Sequence, residues 1–154
     1  MQSLEYLEPE RLSLKLKNSE NKEKLVIVDV REEDFIGGHI KGALHIPSYQ
    51  LPSDILNLVQ KTRNAKEVVF YCSLSQKRYH LFLCNENIFI RYRGPAGAKL
   101  FLETQKVQQN TENLQKKELP NVYVLRGGFS EWQKKYGEDE KLTEGYNKEL
   151  WKEK

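Results

Sequence analysis

Apolar positions in this chain fall into short, β-branched runs separated by amphipathic or polar stretches. Leu25 to Val30 is almost wholly apolar, the pattern of a strand covered on both faces of a parallel sheet. Glu67 to Tyr71 and Asn121 to Leu125 read as strands of the same kind, and Ala43 to Ile46 as a shorter one closed by Pro47. Tyr6-Leu7 predicts a brief strand. Glu8-Pro9-Glu10 then opens a helix to about Lys17, with proline in the first turn and acids at the positive end. Ile55, Leu56, Leu58 and Val59 make Pro52 to Lys61 an amphipathic helix. Gly94-Pro95 opens another, carrying Ala98, Leu100, Phe101 and Leu102. Gly127-Gly128 turns into a short helix from Phe129 to Tyr136. Between these lie a polar loop at Asn18 to Lys24, a turn region at Phe35 to Lys41, and a polar, mobile connection at Gln105 to Glu118. Lys152 to Lys154 reads as a frayed tail. Strands alternating with helices predict an α/β sandwich with a mostly parallel sheet.

The 154 residues predict one domain, and a chain of this size buries roughly 70% of its unfolded surface. With 38% hydrophobic and 31% charged residues it has an ordinary globular composition. A net charge of +3, spread rather than clustered, gives no reason to expect a nucleic-acid partner. No apolar run approaches the length needed to span a membrane. The segment Met1 to Arg11 carries Glu5, Glu8 and Glu10 and lacks the apolar centre of a signal peptide. Two cysteines, Cys72 and Cys84, make neither a disulfide framework nor a zinc site. A cytoplasmic or nuclear protein is therefore expected, with no metal.

The chemistry centres on Val68-Val-Phe-Tyr-Cys-Ser-Leu-Ser-Gln-Lys-Arg78, where a buried-looking strand ends in a cysteine and an arginine follows at a Cys-x5-Arg spacing. Inward-facing loop amides hold a tetrahedral oxyanion, and an arginine fork grips two of its oxygens. Cys72 is thus the candidate nucleophile and Arg78 the residue that holds developing charge.

Four motifs occur in order: Val28-Asp29-Val30-Arg31, Gly38-His39-Ile40-x-Gly42-Ala43, the Cys-x5-Arg loop, and Leu125-Arg126-Gly127-Gly128-Phe129-x-x-Trp132. Together they resemble the rhodanese domain, in the branch shared by cell-division-cycle tyrosine phosphatases and eukaryotic arsenate reductases. Tyr136 to Glu140, Gly145-Tyr146 and Leu150-Trp151 are similar to the small fungal phosphatases of that branch. The resemblance covers residues 4 to 151 and implies a single rhodanese-like three-layer sandwich, its central sheet flanked by helices. It also implies a cysteine-dependent phosphatase of the protein tyrosine or dual-specificity type, with no cofactor. Cys72 forms a phosphocysteinyl intermediate that water hydrolyses. Ser73, Leu74, Ser75, Gln76 and Lys77 line the substrate loop, and Arg78 stabilises the transition state. The substrate is then a phosphorylated protein or a small oxyanion. Arsenate reduction by the same loop, with glutathione and glutaredoxin as partners, is the alternative. Sulfur transfer from thiosulfate is a third reading, and the longer loop argues against it.

The sequence departs from the family pattern in one large respect. The motif runs Cys-x5-Arg-Gly-Pro without a break, whereas here residues 79–93 intervene before Gly94-Pro95. Removing Tyr79 to Arg93 or Arg78 to Tyr92 restores the same sequence, so Arg78 and Arg93 compete for one role. Loop function depends on running directly into a helix N-terminus, and a fifteen-residue insert must supply a new one. If it does not, a silent binding module on the same fold results. Fifteen codons also match a short in-frame intron, which sequencing of the mature transcript would reveal. A smaller departure is Tyr71, where relatives usually carry histidine.

Other polar residues have structural readings. Asp29 and Arg31 predict an ion pair that fixes neighbouring loops. Glu32, Glu33 and Asp34 are general-acid candidates, with a solvated acidic turn the plainer expectation. His39 reads as a satisfied structural histidine, while His45 and His80 show no partner pattern. Arg126-Gly127-Gly128 reads as turn chemistry, Trp132 and Trp151 as core or docking aromatics, and Cys84 as an apolar side chain in the insert.

Overall fold

The computed structural model describes residues 4–18, 24–74, 87–111 and 118–152, with the backbone alone over 87–92. In chain order the elements are β1 (Glu5–Leu7), α1 (Pro9–Lys17), β2 (Leu25–Asp29), β3 (His39–Ile40), β4 (Leu44–His45) and α2 (Leu51–Lys61). Then follow β5 (Glu67–Tyr71), α3 (Asn87–Thr111), β6 (Asn121–Leu125), α4 (Gly128–Tyr136), β7 (Thr143–Glu144) and α5 (Glu149–Lys152).

Five strands form one sheet in the order β1-β6-β5-β2-β4, with every pairing parallel. β5 lies at the centre, with Phe70 registered against Val28 of β2 and Val124 of β6. The strands are apolar on both sides because helices cover both faces. Val28, Val30, Val68, Phe70, Cys72, Val122 and Val124 pack on Leu51, Ile55, Leu58 and Val59 of α2 and on Ala98 and Phe101 of α3. Ile27, Val69, Tyr71 and Leu125 face the other way, onto Leu12 of α1 and Phe129 and Trp132 of α4. This is the predicted three-layer α/β sandwich. Alternation along β5 therefore sends Cys72 to the α2/α3 side and Tyr71 to the α1/α4 side.

Strands β1, β2, β5 and β6 and helices α1, α2 and α4 coincide with their predicted spans within a residue or two. Three expectations need correction. The turn region at 35–41 contains β3, which pairs antiparallel with β7: His39 opposes Glu144 and Ile40 opposes Thr143. Two-residue strands a hundred positions apart carry no periodicity to read. Helix α3 starts at Asn87, inside the insert, and takes Pro95 into its interior. Proline there offers no N–H to the carbonyl one turn back, a cost that packing of Ala98 and Phe101 offsets. Finally, α3 continues to Thr111, so much of the expected polar connection is helical, and Gln105 is buried. At the chain's end, Lys152 lies in α5. Among the described residues, no helix is long and apolar enough to cross a membrane.

Candidate functional site

Cys72 leaves the C-terminal end of β5, the edge of a parallel sheet where ligands of α/β folds gather. Backbone contacts fix this exit on both sides. The Val30 amide donates to the Tyr71 carbonyl at 2.9 Å, the Phe129 amide to the Cys72 carbonyl at 2.9 Å, and the Ser130 amide to the Ser73 carbonyl at 2.8 Å. The Arg126-Gly127-Gly128 turn thus serves as a dock for the start of the oxyanion loop. Gly128 (φ +57°) lies so near that a Cβ would sit 2.3 Å from the Cys72 carbonyl oxygen. Cys72 itself is fully buried.

Arg31 and Asp29 form the predicted ion pair, both wholly buried. Arg31 Nη2 lies 2.7 Å from Asp29 Oδ2, and Nε contacts both carboxylate oxygens at 3.0 Å. Nη2 also donates to the Gly38 carbonyl at 2.8 Å, which ties down the loop after β2. The guanidinium carbon lies 4.3 Å from the Phe129 ring centre, 5.0 Å from Phe35 and 5.7 Å from Tyr71. Burial works against the charge, but Asp29 holds the Arg31 pKa above its ordinary value. Below this pair, the Ile40 amide donates to the Tyr71 hydroxyl at 3.1 Å. Burial and the nearby Asp29 charge push the Tyr71 pKa well above that of a free tyrosine. Tyr71 therefore braces β3 from the face opposite Cys72.

The two histidines among the described residues are satisfied as well. His39 Nε2 meets Glu144 at 3.0 Å across β3 and β7. His45, for which no partner was expected, donates from Nε2 to the Arg31 carbonyl at 2.8 Å and stacks on Phe35 at 3.7 Å. Trp132 is core and donates to Thr143 Oγ1 at 3.0 Å; Trp151 docks α5 by donating to the Gly37 carbonyl at 2.9 Å.

The acidic run differs from the solvated turn that was expected. Glu33 is exposed, but Asp34 is half-buried, with its carboxylate against Ser73 and Arg93. Its carboxylate accepts the Ser73 hydroxyl, the Glu32 amide at 3.0 Å and Arg93 Nη2 at 2.5 Å. Glu32 accepts the Ser48 hydroxyl and lies 3.7 Å from Arg93 Nη1. Burial alone would raise the Asp34 pKa, but hydrogen bonds from Arg93 and Ser73 hold it at about 2. Asp34 is ionised at neutral pH in this arrangement and has no proton to give a leaving group. Burial opposes the Arg93 charge, but the hydrogen bond to Asp34 and its negative charge raise the Arg93 pKa above its ordinary value. The Arg93 guanidinium is thus tied through Asp34 to Ser73, the residue directly after Cys72.

Of the predicted site residues, Cys72, Ser73 and Leu74 lie together at the end of β5. Ser75, Gln76, Lys77 and Arg78 fall outside the described residues, as do His80 and Cys84. Arg93, the competing arginine, shares the Asp34 carboxylate with Ser73, the residue after Cys72. Asp34 was foreseen only as one of three general-acid candidates, not as the partner of an arginine. Its signal was its place in the loop that follows β2, a strand that neighbours β5. Among the described residues no cluster of His, Cys, Asp or Glu is suited to a metal ion.

Comparison with known proteins agrees with this architecture. The rhodanese-like domain profile matches residues 13–135. The CDC25-like phosphatase YCH1 of Saccharomyces cerevisiae is 33% identical over 163 aligned positions, covering 97% of this chain and 95% of its own. Arsenate reductase 2.2 of Oryza sativa is 28% identical over 111 positions, covering 71% of this chain and 70% of its own. A solved structure described as a yeast protein tyrosine phosphatase of the rhodanese family superposes with a TM-score of 0.70 at 31% identity, covering 98% of this chain and 99% of that one. With four ordered motifs, a parallel five-stranded sheet between two helical layers, and these matches, the chain belongs to the rhodanese-like domain family.

Proposed function

We propose that this chain is a cysteine-dependent phosphatase of the tyrosine or dual-specificity type, with Cys72 as nucleophile and Arg93 as the residue that holds the phosphoryl charge. The observation that carries the reading is a buried guanidinium joined through Asp34 to Ser73, the residue after a cysteine at the C-terminal end of the central parallel strand. The Cys72 thiolate attacks phosphorus, an S–P bond forms, and the P–O bond to the leaving group breaks. Water then displaces the thiolate and releases phosphate. Arg93 and the loop amides meet charge where it grows. The names of the YCH1 relative and of the superposed yeast structure support a phosphatase rather than a sulfurtransferase. The substrate class is a phosphorylated protein or a small phosphate monoester, in a reducing compartment of the cytoplasm or nucleus that keeps Cys72 a thiol.

A second reading, arsenate reduction with glutathione and glutaredoxin, has support in the rice relative's name. Arsenate has the shape and charge of phosphate, so one oxyanion site accepts either.

Hydrolysis of an aryl phosphate by the purified full chain tests the proposal. Cys72→Ser abolishes it, Arg93→Ala lowers kcat/KM by about 100-fold or more, and Arg78→Ala leaves it within a few-fold. Thiol-dependent arsenate consumption without phosphate hydrolysis would favour the second reading. Absence of both would make the chain a binding module.

A further inference from the structure

Cys72 and Arg93 stand twenty-one positions apart, whereas an unbroken Cys-x5-Arg motif separates its two functional groups by six. One carboxylate joins the residue after Cys72 to Arg93. Asp34 accepts the hydroxyl of Ser73, the residue directly after Cys72, and it accepts Arg93 Nη2 at 2.5 Å. The carboxylate is itself aimed, because the Glu32 amide donates to Oδ1 at 3.0 Å. Glu32 adds a longer contact to Nη1 at 3.7 Å, and Ser48 holds Glu32 in turn.

This leaves an asymmetry on the guanidinium. Both terminal nitrogens face carboxylates, while Nε is buried with no hydrogen-bond partner among the described residues. Arginine binds oxyanions through a fork of N–H groups, and a buried donor without an acceptor is a vacancy that an incoming oxygen fills.

We propose that Asp34 is a positioning residue: its carboxylate clips Ser73 to Arg93 and keeps Arg93 Nε–H in place for the substrate oxyanion. The inference rests on the assignment of Arg93 to that oxyanion. Asp34 touches no substrate atom and gives no proton. It acts through the arginine.

The test is a double-mutant cycle in the full chain with two readouts: affinity for tungstate, an inorganic oxyanion that binds without turnover, and kcat/KM for an aryl phosphate. The forms are wild type, Asp34→Asn, Arg93→Ala and the double variant. Asn matches Asp in size, and thermal unfolding checks that each form is folded. Asp34→Asn should weaken tungstate binding and lower kcat/KM by about tenfold or more, the worth of one charge-assisted contact. On the Arg93→Ala background the same substitution should change either quantity less than about twofold, because the group it acts through has gone. Equal losses on both backgrounds would overturn the clip, since Asp34 would then act without Arg93. Tighter tungstate binding in Asp34→Asn would also overturn it, because the carboxylate would then only repel the ligand. Wild type that binds tungstate without hydrolysing phosphate would contradict the phosphatase reading, while the tungstate cycle alone would still decide for or against Asp34.

Discussion

Gly128 and Cys72 approach each other so closely that a methyl group on the glycine would fall 2.3 Å from the cysteine's carbonyl oxygen. The contact explains why the turn after β6 needs glycine twice over: φ is +57°, and the space belongs to the loop backbone. Gly128→Ala is expected to cost at least about 2 kcal/mol from left-handed strain and clash combined. A thermal melt should fall by roughly 4–8 °C. Gly42→Ala is the control, since φ there is +74° but nothing lies within 4 Å of a Cβ. It should show the strain alone, about 1 kcal/mol.

Arg31 and Asp29 are wholly buried and hold each other with two-point geometry. Removing one partner leaves a charge in the core. Arg31→Leu should destabilise the fold by about 3–5 kcal/mol in urea unfolding, far more than truncation of an exposed pair such as Lys148 with Glu138. Similar small losses for both would contradict a structural role for the buried pair.

Asp34 gives the acid limb of stability a defined sign. Its folded pKa of about 2 lies below its ordinary 3.8, so the unfolded chain takes up a proton more readily. Its contribution is therefore complete above about pH 4 and is lost as pH falls toward 2, of order 1–2 kcal/mol once solvent screening is allowed for. Asp34→Asn should flatten this part of the stability profile and leave the slope above pH 5 unchanged. An unchanged acid limb would mean that the carboxylate is not held as described.

The Tyr71 hydroxyl receives the Ile40 amide at 3.1 Å in a buried setting. Tyr71→Phe strands that donor and should cost about 1–2 kcal/mol. Because Tyr71 lies on the face of β5 away from Cys72, kcat/KM should stay within a few-fold. A large loss of turnover with unchanged stability would give Tyr71 a chemical role instead.

Much of this was legible in the sequence for physical reasons. The apolar runs of β2, β5 and β6 lie in a sheet covered on both faces, which leaves few other ways to bury them. The Asp29–Arg31 pair was readable because both ends sit two residues apart at a strand terminus. What stayed hidden depends on distance in sequence. β3 exists only through β7, and Asp34 acquires its meaning only through Ser73 and Arg93. The start of α3 was misplaced because Gly94-Pro95 is a common helix opening, whereas here tertiary packing carries the proline inside.

The measurement closest to the central claim is rapid acid quench of the full chain during aryl phosphate turnover, followed by mass analysis of the peptide that carries Cys72. A phosphoryl group on Cys72, formed at a rate no slower than turnover and absent from Cys72→Ser, is the predicted result. Hydrolysis that persists in Cys72→Ser, or turnover with no modified Cys72 at any quench time, would contradict it.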